Sequence, residues 1–176
     1  MLGGCALGHA TYVGATKLET VKLLIDAGAS LDYRTFGGGT LLVNAVDNED
    51  SDPEVIRLLL GTLKSTHSAE DLSSLVNYRK KSTTFKWKSI YFMAKSLHRM
   101  GLATSGLMKY LAMEVGSTPL NLAVARGDVE VVQILLENGA DPYIENDLGM
   151  NAFEICEKCG PFPSVMRALM YENKNS

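Results

Sequence analysis

Gly116-Ser-Thr-Pro-Leu-Asn-Leu-Ala-Val-Ala-Arg-Gly-Asp-Val-Glu-Val-Val-Gln-Ile-Leu-Leu-Glu-Asn-Gly-Ala-Asp141 is the stretch on which the fold turns. Thr118 and Pro119 suit a helix start: threonine accepts from an orphan N–H of the first turn, and proline at the first helical position gives up an N–H that has no partner there anyway. Leu120, Ala123 and Val124 then share one helical face. Asp128 is placed to cap a second helix, whose Val131, Val132, Leu135 and Leu136 form an apolar stripe. Gly139 closes that helix in the left-handed conformation. The unit is a helix pair that cannot bury its own stripe, so it needs neighbours.

The neighbours are in the sequence. Thirty-three residues on, Gly149 matches Gly116, Asn151-Ala-Phe153 matches Thr118-Pro-Leu120, and Cys156 takes the place of Ala123. Upstream, Gly39-Thr40-Leu-Leu-Val-Asn-Ala45 followed by Glu54-Val-Ile-Arg-Leu-Leu-Leu60 is another copy with a short insertion. An earlier one runs from Cys5-Ala-Leu-Gly-His-Ala10 to Glu19-Thr-Val-Lys-Leu-Leu-Ile-Asp-Ala-Gly-Ala29. Small residues at 10, 45, 123 and 156 let paired helices approach closely. Asp52-Pro53-Glu54 repeats the helix-start chemistry, and Pro163 takes the same place before Val165 and Leu169.

These residues resemble the ankyrin repeat, which opens on Thr-Pro-Leu-His-x-Ala, continues into a Glu-Val-Val-x-Leu-Leu-Leu helix and closes on Gly-Ala-Asp. The copy at 116–146 matches nearly throughout; degenerate copies lie near 3–32, 37–61 and 149–172. The resemblance implies an all-α ankyrin-repeat solenoid of helix pairs with hairpin fingers, interrupted by a helical insert. Two N-terminal repeats occupy 1–61, a basic helical insert 62–115, and two C-terminal repeats 116–176, the last a cap. The segments 32–39 and 141–150 are expected to project as β-hairpin fingers carrying Tyr33, Arg34, Phe36, Tyr143, Glu145 and Asp147. The family's mode of action is non-enzymatic binding of another protein through a concave face of fingers and inner helices. Carried over position by position, that face presents Ser117, Ala125 and Arg126 in the good copy, and Arg34, Phe36, Asp47 and Asn48 in the second. Met1 falls almost on the first finger with no preceding repeat, so a fragment or truncated array, exposing an apolar side of its first pair, is expected.

Composition agrees with one folded domain: 176 residues, 46% hydrophobic, 21% charged, mean hydropathy +0.03. The longest strictly apolar run, Ile90 to Ala94, is far short of the roughly 18 to 20 residues that cross a bilayer. No basic n-region precedes an apolar one, Leu2-Gly3-Gly4-Cys5 lacks a leader before it, and residue 2 is Leu rather than the glycine that myristoylation requires. A reducing setting, cytoplasmic or nuclear, is the expectation.

Charge is uneven. Residues 61–115 hold nine Lys or Arg against Glu70, Asp71 and Glu114, a net of +6; the remainder holds eight basic and 17 acidic residues, a net of −9. Within the insert, Ser68–Val76, Thr84–Met100 and Thr104–Met113 read as three helices. On the second, Trp87, Ile90, Met93, Ala94, Leu97 and Met100 form one arc, with Lys88, Lys95 and Arg99 opposite. Two readings of this helix stand side by side. Its apolar arc packs on the repeats while its cations are solvated, or it docks a calmodulin-like protein or an anionic membrane through Trp87 and Met100. Arg79-Lys80-Lys81 with Lys86 and Lys88 could hold phosphate or act as an import signal, a weaker idea that predicts no specific nucleic-acid partner.

Catalytic and metal chemistry find little support. Cys156-Glu-Lys-Cys159 lacks a second ligand pair, and a redox role needs a strand-to-helix context, so Cys156 reads as a replacement for buried Ala and Cys159 for Arg126. Asp47-Asn-Glu-Asp-Ser-Asp52 has Asp52 where a calcium loop needs glycine and Leu58 where it needs glutamate. Gly37-Gly38-Gly39 is not followed by Gly-Lys-Ser/Thr. His9 is expected inside, hydrogen-bonded. No nucleophile, base and orienting acid assemble at motif level, so no catalytic residue, metal or cofactor is assigned. Two further functions remain: an adaptor working through the insert, or a regulatory segment attached to an enzyme elsewhere.

Overall fold

The computed structural model describes residues 2–12, 17–35, 38–82, 84–102, 105–160 and 162–172. Its helices are α1 (Leu2–Tyr12), α2 (Leu18–Asp26), α3 (Leu41–Asp47), α4 (Pro53–Thr66), α5 (Ala69–Val76), α6 (Phe85–Arg99), α7 (Gly106–Glu114), α8 (Pro119–Arg126), α9 (Val129–Glu137), α10 (Ala152–Cys159) and α11 (Pro163–Glu172). Among the described residues there is no β-strand; one antiparallel bridge joins Arg34 to Thr40.

Four pairs, α1/α2, α3/α4, α8/α9 and α10/α11, stack side by side. The inner helices α1, α3, α8 and α10 form one row and the outer helices α2, α4, α9 and α11 another. This is the all-α solenoid that the repeat pattern predicts. Local chemistry starts four of the repeat helices where the sequence reading places them. Thr118 Oγ1 accepts from Asn121 N (3.2 Å), Asp128 Oδ1 from Val131 N (3.1 Å) and Asp52 Oδ1 from Glu54 N (2.9 Å), while Asn151 and Glu154 complete a reciprocal capping box. Each such cap stabilises its helix by about 1 kcal/mol. Gly139 adopts φ +85° after α9. Between the rows, Leu42, Ala45, Leu59, Leu120, Ala123, Leu135, Ile155, Cys156, Val165 and Leu169 are buried in one continuous core. Alanine and cysteine at the close-approach positions are what allow the rows to meet.

Both finger segments turn back on themselves as expected, Thr35 N donating to Gly39 O (2.9 Å) beside the Arg34–Thr40 bridge and Asn146 N to Met150 O (2.9 Å). In the second, buried Asn146 accepts from Leu148 N and Met150 N through Oδ1 and donates to Met113 O, so one side chain does the work of a strand ladder. Other expectations are corrected. Helix α4 runs past Gly61 to Thr66, so residues 62–66 belong to the second pair's outer helix. His9 is exposed, because its one-residue offset from the repeat's histidine position turns it to the other side of α1. Phe36 and Thr104 lie outside the described residues; α7 is capped by Ser105, which accepts from Met108 N.

The helical hairpin α6/α7 grows out of the loop between the second and third pairs. Its two ends are pinned together: Lys80 N donates to Ser117 O (2.9 Å) and Gly116 N to Lys80 O (3.1 Å). Gly38, at φ +87°, lets the incoming strand of the hairpin cross directly over the first loop, where a Cβ would collide with the Lys81 carbonyl. Asn77, just past α5, donates to Gly139 O (3.0 Å) and accepts from Asp141 N (2.8 Å), tying the root of the insert to the third pair.

Candidate functional site

From this root the hairpin folds back over the inner helices, and the concave face becomes a roofed groove with two cavities. The first, about 860 Å³, lies between α1 and α3 below and α6 and α7 above. Tyr33, Asp47 and Asn48, assigned to the binding face from sequence, all line it. The second, about 550 Å³, lies between α7 and the inner helices α8 and α10, and is lined by Ser117, Ala125 and Arg126 together with Tyr110, Lys158 and Cys159. Of these, Ser117 is not the exposed position expected. It is 2% exposed and donates to Met113 O, because the returning end of the hairpin lies on it.

Apart from Tyr33, the loop residues separate from this face. Tyr143 stays exposed with its ring 5.6 Å from that of Phe153, and Glu145 is exposed. Arg34 places its guanidinium 4.3 Å from the centre of the Tyr78 ring, a cation–π contact with the root of the insert. Asp147 accepts from Arg79 (3.0 Å) and Lys95 (3.2 Å), and its main-chain carbonyl accepts from Arg99 (3.3 Å). Lys95 and Arg99, expected on a free cationic stripe, thus clasp α6 to the fourth pair's loop.

The buried face of α6 is also rotated from the expected arc. Tyr91 and Ala94 are buried and Trp87 half-buried, with its ring 5.6 Å from that of Tyr91, whereas Met93 and Met100 stand exposed. The helix is apolar on more than one side, and packing against α7 selects the side that carries Tyr91. Phe85 (86% exposed) and Phe92 (70%) are left outside, with Lys86 and Lys88 beside them.

A charged cluster absent from the sequence reading holds the roof down. Lys80 Nζ bonds Glu114 and lies 3.6 Å from Asp47 Oδ2, their side chains 7%, 6% and 9% exposed. Tyr110 donates its O–H to Asp47, and Arg126 donates to Val46 O, which joins α7, α3 and α8. Burial pushes the Lys80 ammonium below its ordinary value although Asp47 pulls it back up. The Tyr91 phenol is pushed up to about 12 and that of Tyr110 higher still, first by burial and then by the Asp47 charge. The clue to this cluster was Glu114, the one acid between residues 72 and 115, next to an otherwise unpaired basic run.

Cys156 is buried and Cys159 half-buried, both thiols raised by burial. Among the described residues no group of three or more His, Cys, Asp or Glu is disposed to hold a metal ion, and no helix is long and apolar enough to cross a membrane.

Comparison with known proteins agrees with the geometry. The family model for the ankyrin repeat matches residues 115–147. The chain aligns with ankyrin repeat family A protein 2 of Mus musculus at 49% identity over 64 residues, 30% of this chain and 20% of that protein, and with its Homo sapiens counterpart at 47% over the same length and shares. The chain spans about a fifth of the length of these curated relatives. A chain in the crystal structure of the yeast ribosomal protein Rps3 in complex with its chaperone Yar1 superposes with a TM-score of 0.66 at 23% identity, covering 99% of this chain and 92% of that one; the likeness is one of fold. Residues 115–147 in the third pair thus carry an ankyrin repeat, and the same two-row stack on either side of it gives the chain an ankyrin-repeat fold.

Proposed function

We propose that this protein is a non-enzymatic adaptor that binds a partner protein in the concave groove, with the α6/α7 hairpin forming one wall of the binding site rather than a separate element. The observation that carries this reading is the shared placement of the inner-helix positions: Asn48, Ala125 and Arg126 line the two cavities under the hairpin, while Asp47 anchors the hairpin from beneath. A stacked scaffold holds these side chains in place before the partner arrives, so little ordering cost falls on binding. The compartment proposed is reducing, cytoplasmic or nuclear, where Cys156 and Cys159 remain thiols. A photo-cross-linking residue at Ala125 should capture the partner in cells, while the same residue at Gln133, exposed on outer helix α9, should not. Capture from position 133 alone would move the binding face to the convex side.

One observation favours a second reading. Phe85, Phe92, Met93 and Met100 are exposed on α6 with Lys86 and Lys88 nearby, the composition of a helix that docks a calmodulin-like protein or an anionic surface. Trp87 faces the cavity and Lys95 and Arg99 are paired, so the docking face would be this outward one. Lys86→Glu with Lys88→Glu should abolish such binding; unchanged binding would remove this reading.

A further inference from the structure

The cavity between the N-terminal inner helices and the hairpin differs from its neighbour in chemistry. Its walls carry five aromatic rings: Tyr12 from α1, Tyr33 from the first loop, Trp87 and Tyr91 from α6, and Tyr110 from α7. Tyr33 reaches this position because Gly8 on α1 has no Cβ to block its ring. Three carboxylates, Asp47, Glu49 and Glu114, line the same space against one ammonium, Lys80, leaving it net negative. The second cavity sets Glu49 and Glu114 against Arg126 and Lys158 and is balanced. Ring faces and carboxylates both attract cations, and they do so more strongly where water is partly excluded.

We propose that the N-terminal cavity receives a lysine or arginine side chain of the partner, so that the segment bound along the groove is basic. This rests on the reading of the concave face as the binding surface and names the chemistry it selects. Two of the cavity's carboxylates, Glu114 and Asp47, already hold the Lys80 ammonium between them, which leaves Glu49 and the rings to meet an incoming cation.

Trp87 is the only tryptophan, and it lines the cavity, so its emission reads occupancy directly. The intact chain is titrated with N-acetyl-lysine methylamide and N-acetyl-arginine methylamide, and with N-acetyl-norleucine methylamide as the uncharged match. A saturable change with the two cations and none with norleucine is expected, weakened at least about fivefold by Tyr12→Leu and weakened again when NaCl is raised from about 0.05 to about 0.5 M. Tyr12 is more than half exposed, so this variant keeps the fold, which circular dichroism checks. A silent Trp87, or an equal response to norleucine, overturns the proposal. If Trp87 is silent while position 125 still captures a partner, the cation site fails and the groove reading stands. If Trp87 responds while only position 133 captures, the groove reading fails and the cavity's cation preference is retained.

Discussion

Replacing Lys80 by methionine tests how the hairpin is held. The ammonium lies 3.6 Å from Asp47 Oδ2 and in contact with Glu114, all three side chains under a tenth exposed. With an effective dielectric constant of about 20, a pair at that distance is worth about 4–5 kcal/mol of attraction before desolvation. Burial nevertheless lowers the Lys80 pKa, so desolvation takes back much of that gain. The net stabilisation over an apolar replacement is therefore small, whereas removing one partner strands two carboxylates in a nearly dry site and costs about 3–5 kcal/mol. For a chain of this length that is a fall in Tm of about 6–20 °C. Urea unfolding followed by far-ultraviolet circular dichroism measures it. The triple variant Asp47→Asn, Lys80→Met, Glu114→Gln should recover most of the loss, because no uncompensated charge remains. A single variant that loses less than about 1 kcal/mol, or a triple variant no better than the single, would show that the cluster is not buried as described.

Tyr91 makes stability fall at high pH: its phenol is raised from 10.0 to about 12, so its contribution is fully present below pH 10 and is lost as pH rises through about 12. Unfolding midpoints of wild type and Tyr91→Phe across that window should show a shallower decline in the variant, and parallel declines would contradict the assignment. Gly38→Ala adds a steric collision with the Lys81 carbonyl to the cost of a left-handed alanine, about 1–2 kcal/mol. Gly139→Ala, at φ +85° with open space around it, should cost only that backbone part, so equal losses in urea would refute the crossing at Gly38. Asp147→Ala releases Arg79 and Lys95 and should lower global stability by less than about 1 kcal/mol. Tryptic cleavage at Lys86, Lys88 and Lys95 should accelerate several-fold, and an unchanged digest would mean that the clasp does not hold α6.

What was legible in the sequence was local. Thr118, Asp128, Asp52 and Asn151 announce helix starts through their own side chains, and the apolar spacing of 131, 132, 135 and 136 sets a face that any stacked neighbour would bury. The hairpin was legible only in its helices. Phe85, Ile90, Phe92, Met93, Leu97 and Met100 surround α6 on several sides, so periodicity alone names no single buried face, and packing against α7 makes the choice of Tyr91. Lys80 reads as one more cation in a basic run. Its burial depends on Asp47 and Glu114, far off in the chain on either side, a pairing that only the folded topology brings about. Repeat register carries Asn48, Ala125 and Arg126 to the lining of the groove. It could not foretell that Asp47 and Ser117 are covered, because the chain that covers them comes from the insert.

The pinned root at Lys80, Gly116 and Ser117 has a consequence for how such a chain can change over time. Two hydrogen bonds bring the ends of the hairpin to neighbouring positions, so whatever is spliced between them leaves the two-row stack in register. Closing a longer or shorter excursion there changes the loop entropy only logarithmically. The root is thus a socket, at which lineages could exchange one roof for another and so re-shape the groove without rebuilding the repeats beneath it.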